Sequence, residues 1–222
     1  MIVLFDLEGT LVETCFERSP EELESMRTMA RVAIQELGIP RAVLSNESTS
    51  SGMRNRALTF ASRDLPEAYG EEVRSGIRQF MDLWESRMAE GYLLYPETRE
   101  VLKDLRSLNC QMGIVTSTTV KNVDAAFRRF DIADYFDAVV TRESVPLIKP
   151  DPAGILEAMK MLGHASDNFF FVGDSRHDVT AAERAGGVSI GVDRGFNKLT
   201  GVSPDHVVED LRGILPIIRE AA

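Results

Sequence analysis

The 222-residue chain is 44% hydrophobic and 27% charged, enough apolar material for one well-filled core, or for a core with a smaller lobe. Its formal net charge of -10, relieved only by scattered basic pairs such as Arg128-Arg129, excludes a nucleic-acid binder, which needs a basic face. No apolar run is long enough to cross a bilayer, and Met1-Ile2-Val3-Leu4-Phe5 lacks the basic opening and the length of a secretion signal, so no membrane partner and a cytoplasmic location are expected.

In chain order, Ile2-Val3-Leu4-Phe5 is a short apolar run that reads as a buried strand, ended by Asp6 and the turn residue Gly9. Residues from about 14 to 95 then show helical periodicity and no convincing strand. Ser19-Pro20-Glu21-Glu22 predicts a helix start, with a serine cap, proline at the first helical position and a glutamate three residues past the cap. Leu23, Met26, Ala30, Ala33, Ile34 and Leu37 share one face until Gly38-Ile39-Pro40 stops the helix. Ser45 to Gly52 reads as a polar turn. A second helix carries Val73, Ile77, Phe80, Met81, Trp84 and Met88, whose helical spacing makes packing the default reading.

From Pro96 onward short apolar runs alternate with helical patterns. Met112 to Val115, Ala138 to Val140, Phe169 to Val172 and Val188 to Val192 read as strands buried on both faces. Val101, Leu102, Leu105 and Leu108 mark one intervening helix, and Val123, Ala126 and Phe127 another. Ile155, Leu156, Met159 and Leu162 mark a third, opened by Asp151-Pro152. The expected fold is therefore α/β, a parallel sheet flanked by helices, with the helical stretch inserted after the first strand. Cys15 and Cys110 stand in no metal-like or redox-like spacing and read as small buried hydrophobes.

Open parallel sheets bind ligands beyond the carboxyl ends of their strands, so the residues after each run carry the functional signal. Asp6-Leu7-Glu8-Gly9-Thr10 follows the first strand, and Thr116-Ser117 the second. Lys149 opens Lys149-Pro150-Asp151-Pro152, and Gly173-Asp174-Ser175 follows another strand with Asp178 one turn on. Acids, a hydroxyl and a lysine on one rim suit phosphoryl transfer to a carboxylate. Asp6 is the candidate nucleophile. Mg²⁺, which takes hard oxygen ligands, would be held by Asp6, Asp174 and a main-chain oxygen, with Asp178 orienting the shell. Thr116 and neighbouring backbone N–H groups at Gly9, Thr10 and Ser117 would hold phosphate oxygens, and Lys149 would neutralise charge. Glu8 would protonate the leaving oxygen and then deprotonate water. Each residue has an ordinary structural alternative, as turn former, cap or surface charge; their joint order along the strand ends is what points to chemistry.

That order resembles the haloacid dehalogenase-like (HAD) hydrolases. Their pattern is a strand then Asp-x-Asp-Gly-Thr, a strand ending in Thr or Ser, a Lys often followed by Pro, and a strand ending Gly-Asp-x-x-x-Asp. The matches are Asp6 to Leu11, Thr116, Lys149-Pro150 and Gly173-Asp174-Ser175-Arg176-His177-Asp178. The resemblance implies a Rossmann-like core of residues 1–13 and 96–222 and a helical cap of residues 14–95. It also implies that Glu8 lends its backbone oxygen to Mg²⁺ besides acting as acid and base. The cap and the Lys-Pro-x-Pro text look most like the phosphoglycolate phosphatase group. Glu8 stands where most members have Asp, and the two acids differ little in intrinsic pKa, about 4.3 against about 3.9. An Asp-x-Glu-Gly-Thr start also looks like the enolase-phosphatase branch, which does not usually share the Gly173-to-Asp178 text. The implied activity is Mg²⁺-dependent hydrolysis of a small phosphorylated metabolite through an aspartyl-phosphate. The alternatives are a phosphosugar mutase, a haloacid dehalogenase, which would carry an aromatic residue at position 8, or a non-catalytic phosphate-responsive domain. Arg18, Arg54 and Arg56 are candidate substrate contacts from the cap. The leaving group and the oligomeric state are not legible.

Overall fold

Strand β1 (Ile2–Phe5) is buried along its whole length, as an unalternating apolar run requires of a strand covered on both faces. In the computed structural model, which describes residues 1–14, 20–47, 49–85, 91–164 and 168–221, it is paired on both edges. Its neighbours are β4 (Gln111–Val115) and β6 (Phe169–Gly173), with Ile2 opposite Gln111 on one side and Phe169 on the other. β5 (Ala138–Val140) extends the sheet beyond β4. β7 (Val188–Val192) and β8 (His206–Val208) extend it beyond β6. Every pairing is parallel. Ranked by appearance within this sheet the strands run 3-2-1-4-5-6, the Rossmann order, whose direction switches between β1 and β6. Edge strand β8 adds a member that its exposed, weakly apolar sequence did not announce.

One face of the sheet packs on α6 (Ala153–Met161) and α7 (Arg176–Ala185). Ile2, Leu4, Val115, Val140, Phe169 and Phe171 share a core cluster with Ile155, Ala158 and Met159 of α6 and Ala181 and Ala182 of α7. Burying each large side chain here contributes about 1.5–3 kcal/mol. Pro152 occupies the cap position of α6 rather than its first turn, and the preceding Asp151 accepts from the Ala153 N–H at 3.0 Å. Leu156, expected on the packed face, is exposed. α4 (Thr98–Ser107) buries Val101, Leu102 and Leu105, whereas Leu108 falls past the helix end and is exposed. α5 (Val120–Phe130) is capped by Thr119, whose hydroxyl accepts from the Asn122 N–H at 3.2 Å. α8 (Ile214–Glu220) closes the described chain and packs with α4.

The chain divides into two compact units, one of Met1–Thr14 with Tyr92–Ala222 and the other of Cys15–Gly91. Residues 92–95 therefore go with the sheet, four residues before the boundary expected at 96. The cause is a strand inside the stretch read as wholly helical: β3 (Leu93–Leu94) pairs antiparallel with β2 (Val12–Glu13), Leu94 opposite Val12. Two residues are too short to show a period in sequence. The second unit is helical over its described residues, with α1 (Pro20–Glu36), a 3₁₀ turn at Arg41–Leu44, α2 (Ser50–Arg63) and α3 (Glu67–Glu85). Ala30 and Ile34 of α1 and Val73 and Ile77 of α3 are buried. The polar turn expected to Gly52 ends earlier, because Thr49 caps α2 by accepting from the Gly52 N–H at 3.1 Å. Cys15, Ser19 and Met88 lie outside the described residues. No described helix is long and apolar enough to cross a membrane.

Candidate active site

Asp6 directly follows β1 and Asp174 directly follows β6, so the two carboxylates flank the point where the sheet order reverses. The Asp6 N–H donates to the Val172 carbonyl at 2.9 Å, which carries the ladder one step past the strand. Asp178 sits in the first turn of α7, where its carboxylate accepts from the Ser175 N–H at 3.0 Å and the Ser175 hydroxyl at 2.6 Å, a capping box. All three aspartates are buried, and each offers an oxygen within 4.8 Å of the others. Buried hard oxygens converging in this way suit a hard divalent cation.

Lys149, on the segment between β5 and α6, is buried among these acids. Its Nζ lies 2.7 Å from Asp6 Oδ1 and 2.6 Å from Asp178 Oδ1. Burial alone would lower its pKa, but the Asp178 and Asp6 carboxylates outweigh burial and push it up to about 12. Burial pushes Asp6 up to about 7, against the pull of Lys149 and with repulsion from Asp178 and Asp174. For Asp178 burial is outweighed by Lys149 and Ser175, which hold it below the usual carboxylate range. Asp174 is pushed up by burial and drawn back by Lys198, whose Nζ stands 2.5 Å from Asp174 Oδ2.

The turn after β1 is held by its neighbours. Gly9 has a φ of +85°, and a Cβ there would stand 2.1 Å from Asp174 Oδ2, so only glycine lets the turn approach that carboxylate. The Gly9 N–H donates to the Val12 carbonyl at 2.7 Å. That donor is engaged within the turn, and the residue also provides room for the Asp174 carboxylate. Thr10 is buried, and its hydroxyl has no partner among the described residues. Arg194 donates to the Gly9 carbonyl at 3.2 Å and the Thr10 carbonyl at 2.9 Å, pairs with Glu97 at 2.9 Å and stacks 3.3 Å above the Tyr95 ring. Thr116 gives its N–H to the Val140 carbonyl at 3.0 Å, and its hydroxyl oxygen accepts from the Thr118 N–H at 3.3 Å. Ser117 beside it is half-buried.

Glu8 is half-buried, and its carboxylate accepts from the Tyr92 hydroxyl. Burial raises its pKa, while hydrogen bonds from Tyr92 and Thr118 and the charges of Lys149 and Arg142 oppose that rise. Arg54 and Arg56 belong to α2 of the second unit, Arg54 buried and Arg56 exposed and paired with Glu47 at 2.6 Å. Arg18 lies outside the described residues.

Residues 3–192 match the haloacid dehalogenase-like hydrolase family. The chain belongs to that family. Among relatives of this HAD hydrolase, a phosphoglycolate phosphatase of Pseudomonas putida is 31% identical over 97% of this chain and 78% of its own. A phosphoglycolate phosphatase of Salmonella typhi is 30% identical over 97% of this chain and 91% of its own. A HAD phosphatase from Thermococcus onnurineus shares the fold with a TM-score of 0.60 at 24% identity, covering 98% of this chain and 97% of that one. A hydrolase from Pseudomonas syringae does so with a TM-score of 0.62 at 21% identity, covering 100% and 99%.

Within this HAD hydrolase, motif reading missed Arg194, Lys198, Tyr92 and Thr118. The first two follow β7, so the strand-end rule that selected Asp6 and Asp174 would have flagged them. Thr118 sits three residues past the end of β4. Tyr92 carries no sequence signal, because its partner lies 84 residues earlier.

Proposed function

We propose that this HAD hydrolase is a cytoplasmic, Mg²⁺-dependent phosphatase that hydrolyses a small phosphomonoester, phosphoglycolate or a close analogue, through an aspartyl-phosphate on Asp6. The observation that carries the proposal is the Lys149 ammonium bridging Asp6 and Asp178 inside a buried cluster completed by Asp174. Curated relatives named phosphoglycolate phosphatase, about 30% identical over nearly the whole chain, support the substrate class.

Asp6, Asp174 and the main-chain oxygen of Glu8 would hold Mg²⁺, with Asp178 as an orienting neighbour. The cation supplies Lewis-acid polarisation of the phosphoryl group and offsets its repulsion from the acids. An Asp6 oxygen attacks phosphorus and the bond to the leaving alcohol breaks. Glu8 gives that alcohol its proton. Lys149 and the Thr116 hydroxyl draw off charge on the phosphoryl oxygens. Water then attacks the phosphorus of the aspartyl-phosphate, Glu8 takes its proton, and phosphate leaves with Asp6 restored. Splitting the hydrolysis this way replaces one difficult displacement by two easier ones. The inserted unit Cys15–Gly91 is read as the cap that sets substrate choice.

The test is phosphate release from a panel of alkyl and sugar phosphomonoesters, phosphoglycolate included, with MgCl₂ and with EDTA. Release that needs Mg²⁺ and disappears in Asp6→Asn supports the reading. Release from no ester, or undiminished release by Asp6→Asn, rejects it.

A further inference from the structure

We propose that Tyr92 and Thr118 are positioning residues for Glu8, two hydroxyl donors that aim its carboxylate at the leaving oxygen. The inference rests on the phosphatase reading above and adds the means by which the acid is held.

The Tyr92 side chain is fully buried, and its hydroxyl donates to Glu8 Oε1. Thr118, also fully buried, is the second hydroxyl acting on the Glu8 carboxyl, where hydrogen bonding from it opposes the pKa rise that burial causes. The direction of that bond follows from its neighbour. The Asn122 amide donates to Thr118 Oγ1 at 2.9 Å, so the oxygen is used as an acceptor and the hydroxyl proton is free to point at the carboxylate. A chain of donors thus runs from Asn122 through Thr118 to Glu8, and Tyr92 meets it from the other side.

The backbone fixes both ends of this arrangement to one short ruler. Glu8 bridges Val12 of β2, next to the Gly9 N–H bond to the Val12 carbonyl at 2.7 Å. Tyr92 immediately precedes β3, which pairs with β2 through Leu93 and Leu94. Glu8 and Tyr92 are therefore both registered against Val12–Glu13 although 84 residues separate them. A glutamate has one more rotatable bond than an aspartate, so a reactive orientation must be selected from more rotamers. The Tyr92 hydroxyl, placed by that ladder, and the Thr118 hydroxyl beyond β4 make that selection, and an acid–base group gains rate only when so aligned.

The experiment compares two substrates whose need for an acid differs. An alkyl ester such as phosphoglycolate leaves as an alkoxide unless protonated, whereas the p-nitrophenolate of p-nitrophenyl phosphate leaves unaided. With Mg²⁺ present, Tyr92→Phe is expected to lower kcat/KM for the alkyl ester by about 10- to 100-fold, the cost of a small misplacement. For p-nitrophenyl phosphate the loss in kcat/KM stays within about threefold, because this ratio reports the steps up to departure of the leaving group, which here needs no acid, and not the later base-assisted attack of water. Thr118→Val, checked by thermal melting alongside Tyr92→Phe, should reproduce the split and carries the test if the tyrosine variant does not fold. Adding Tyr92→Phe to Glu8→Gln should cost nothing further. Equal losses on both esters, no loss on either, or a full additional loss in the Glu8→Gln background overturns the positioning role. If Glu8→Gln itself keeps normal alkyl-ester hydrolysis, the acid–base reading of Glu8 fails instead. A crippled Glu8→Gln beside unaffected Tyr92→Phe and Thr118→Val removes the positioning role alone.

Discussion

At Asp6 a buried environment that disfavours charge meets a lysine 2.7 Å away that favours it, and burial wins, leaving the carboxyl near 7. A folded pKa above the unfolded value of 3.8 means that the native state holds a proton which the unfolded chain has released. With the cation chelated, stability should therefore fall as pH rises from about 4 to about 7, by up to about 1.4 kcal/mol per unit. Urea unfolding in EDTA at several pH values measures this slope, and Asp6→Asn should flatten it. The same variant should retain its fold by circular dichroism while losing turnover. Glu8→Gln should slow alkyl-ester hydrolysis by about 10²- to 10⁴-fold, the usual contribution of a general acid–base. The places of single residues were legible at strand ends: Asp6, Thr116 and Asp174 each directly follow a strand, as the apolar runs suggested. Gly9 was legible as a turn, whereas its bond to the Val12 carbonyl was not, because it depends on a ladder that the sequence does not display.

Helix α7 illustrates how an element carries a site. Its first turn is closed by Ser175 and Asp178 acting on each other, and the same Asp178 carboxylate reaches Lys149 at 2.6 Å. Ser175→Ala removes a cap, at a cost of about 1 kcal/mol, and also releases one hold on Asp178. We expect a lower melting temperature together with reduced kcat, whereas a pure cap loss would change only the melting temperature. Elements with long apolar runs or strong helical faces were legible: β1, β5 and β7 coincide with the runs read from sequence, and β4 and β6 each extend theirs by one residue. The pairing of β2 with β3 was not, because two-residue strands have no period and are formed by contact between distant segments. Helix α2 was similarly hidden, its start masked by a run of serines and threonines that also suits a turn.

At the scale of the molecule, ligand binding and folding stability are linked. A cation held by the native acids but not by the unfolded chain should stabilise the protein by about 2.7 kcal/mol at one hundred times its dissociation constant. Adding MgCl₂ should raise the melting temperature of the protein, and Asp174→Asn should erase the rise. The α/β class and the place of the insertion were legible because alternation of strand and helix is a long-range pattern that survives local ambiguity. One feature of the sheet reaches beyond the finished protein. β1 is flanked by strands whose first residues are 111 and 169, so during translation it emerges long before either neighbour exists. At ordinary ribosomal speed that interval is on the order of five to twenty seconds. Over that time four apolar residues with two open edges depend on shelter by a chaperone or the ribosome surface. The same delay separates the members of the buried cluster: Asp6 is made well before Lys149, Asp174 and Asp178, the lysine and acids that it faces in the folded protein.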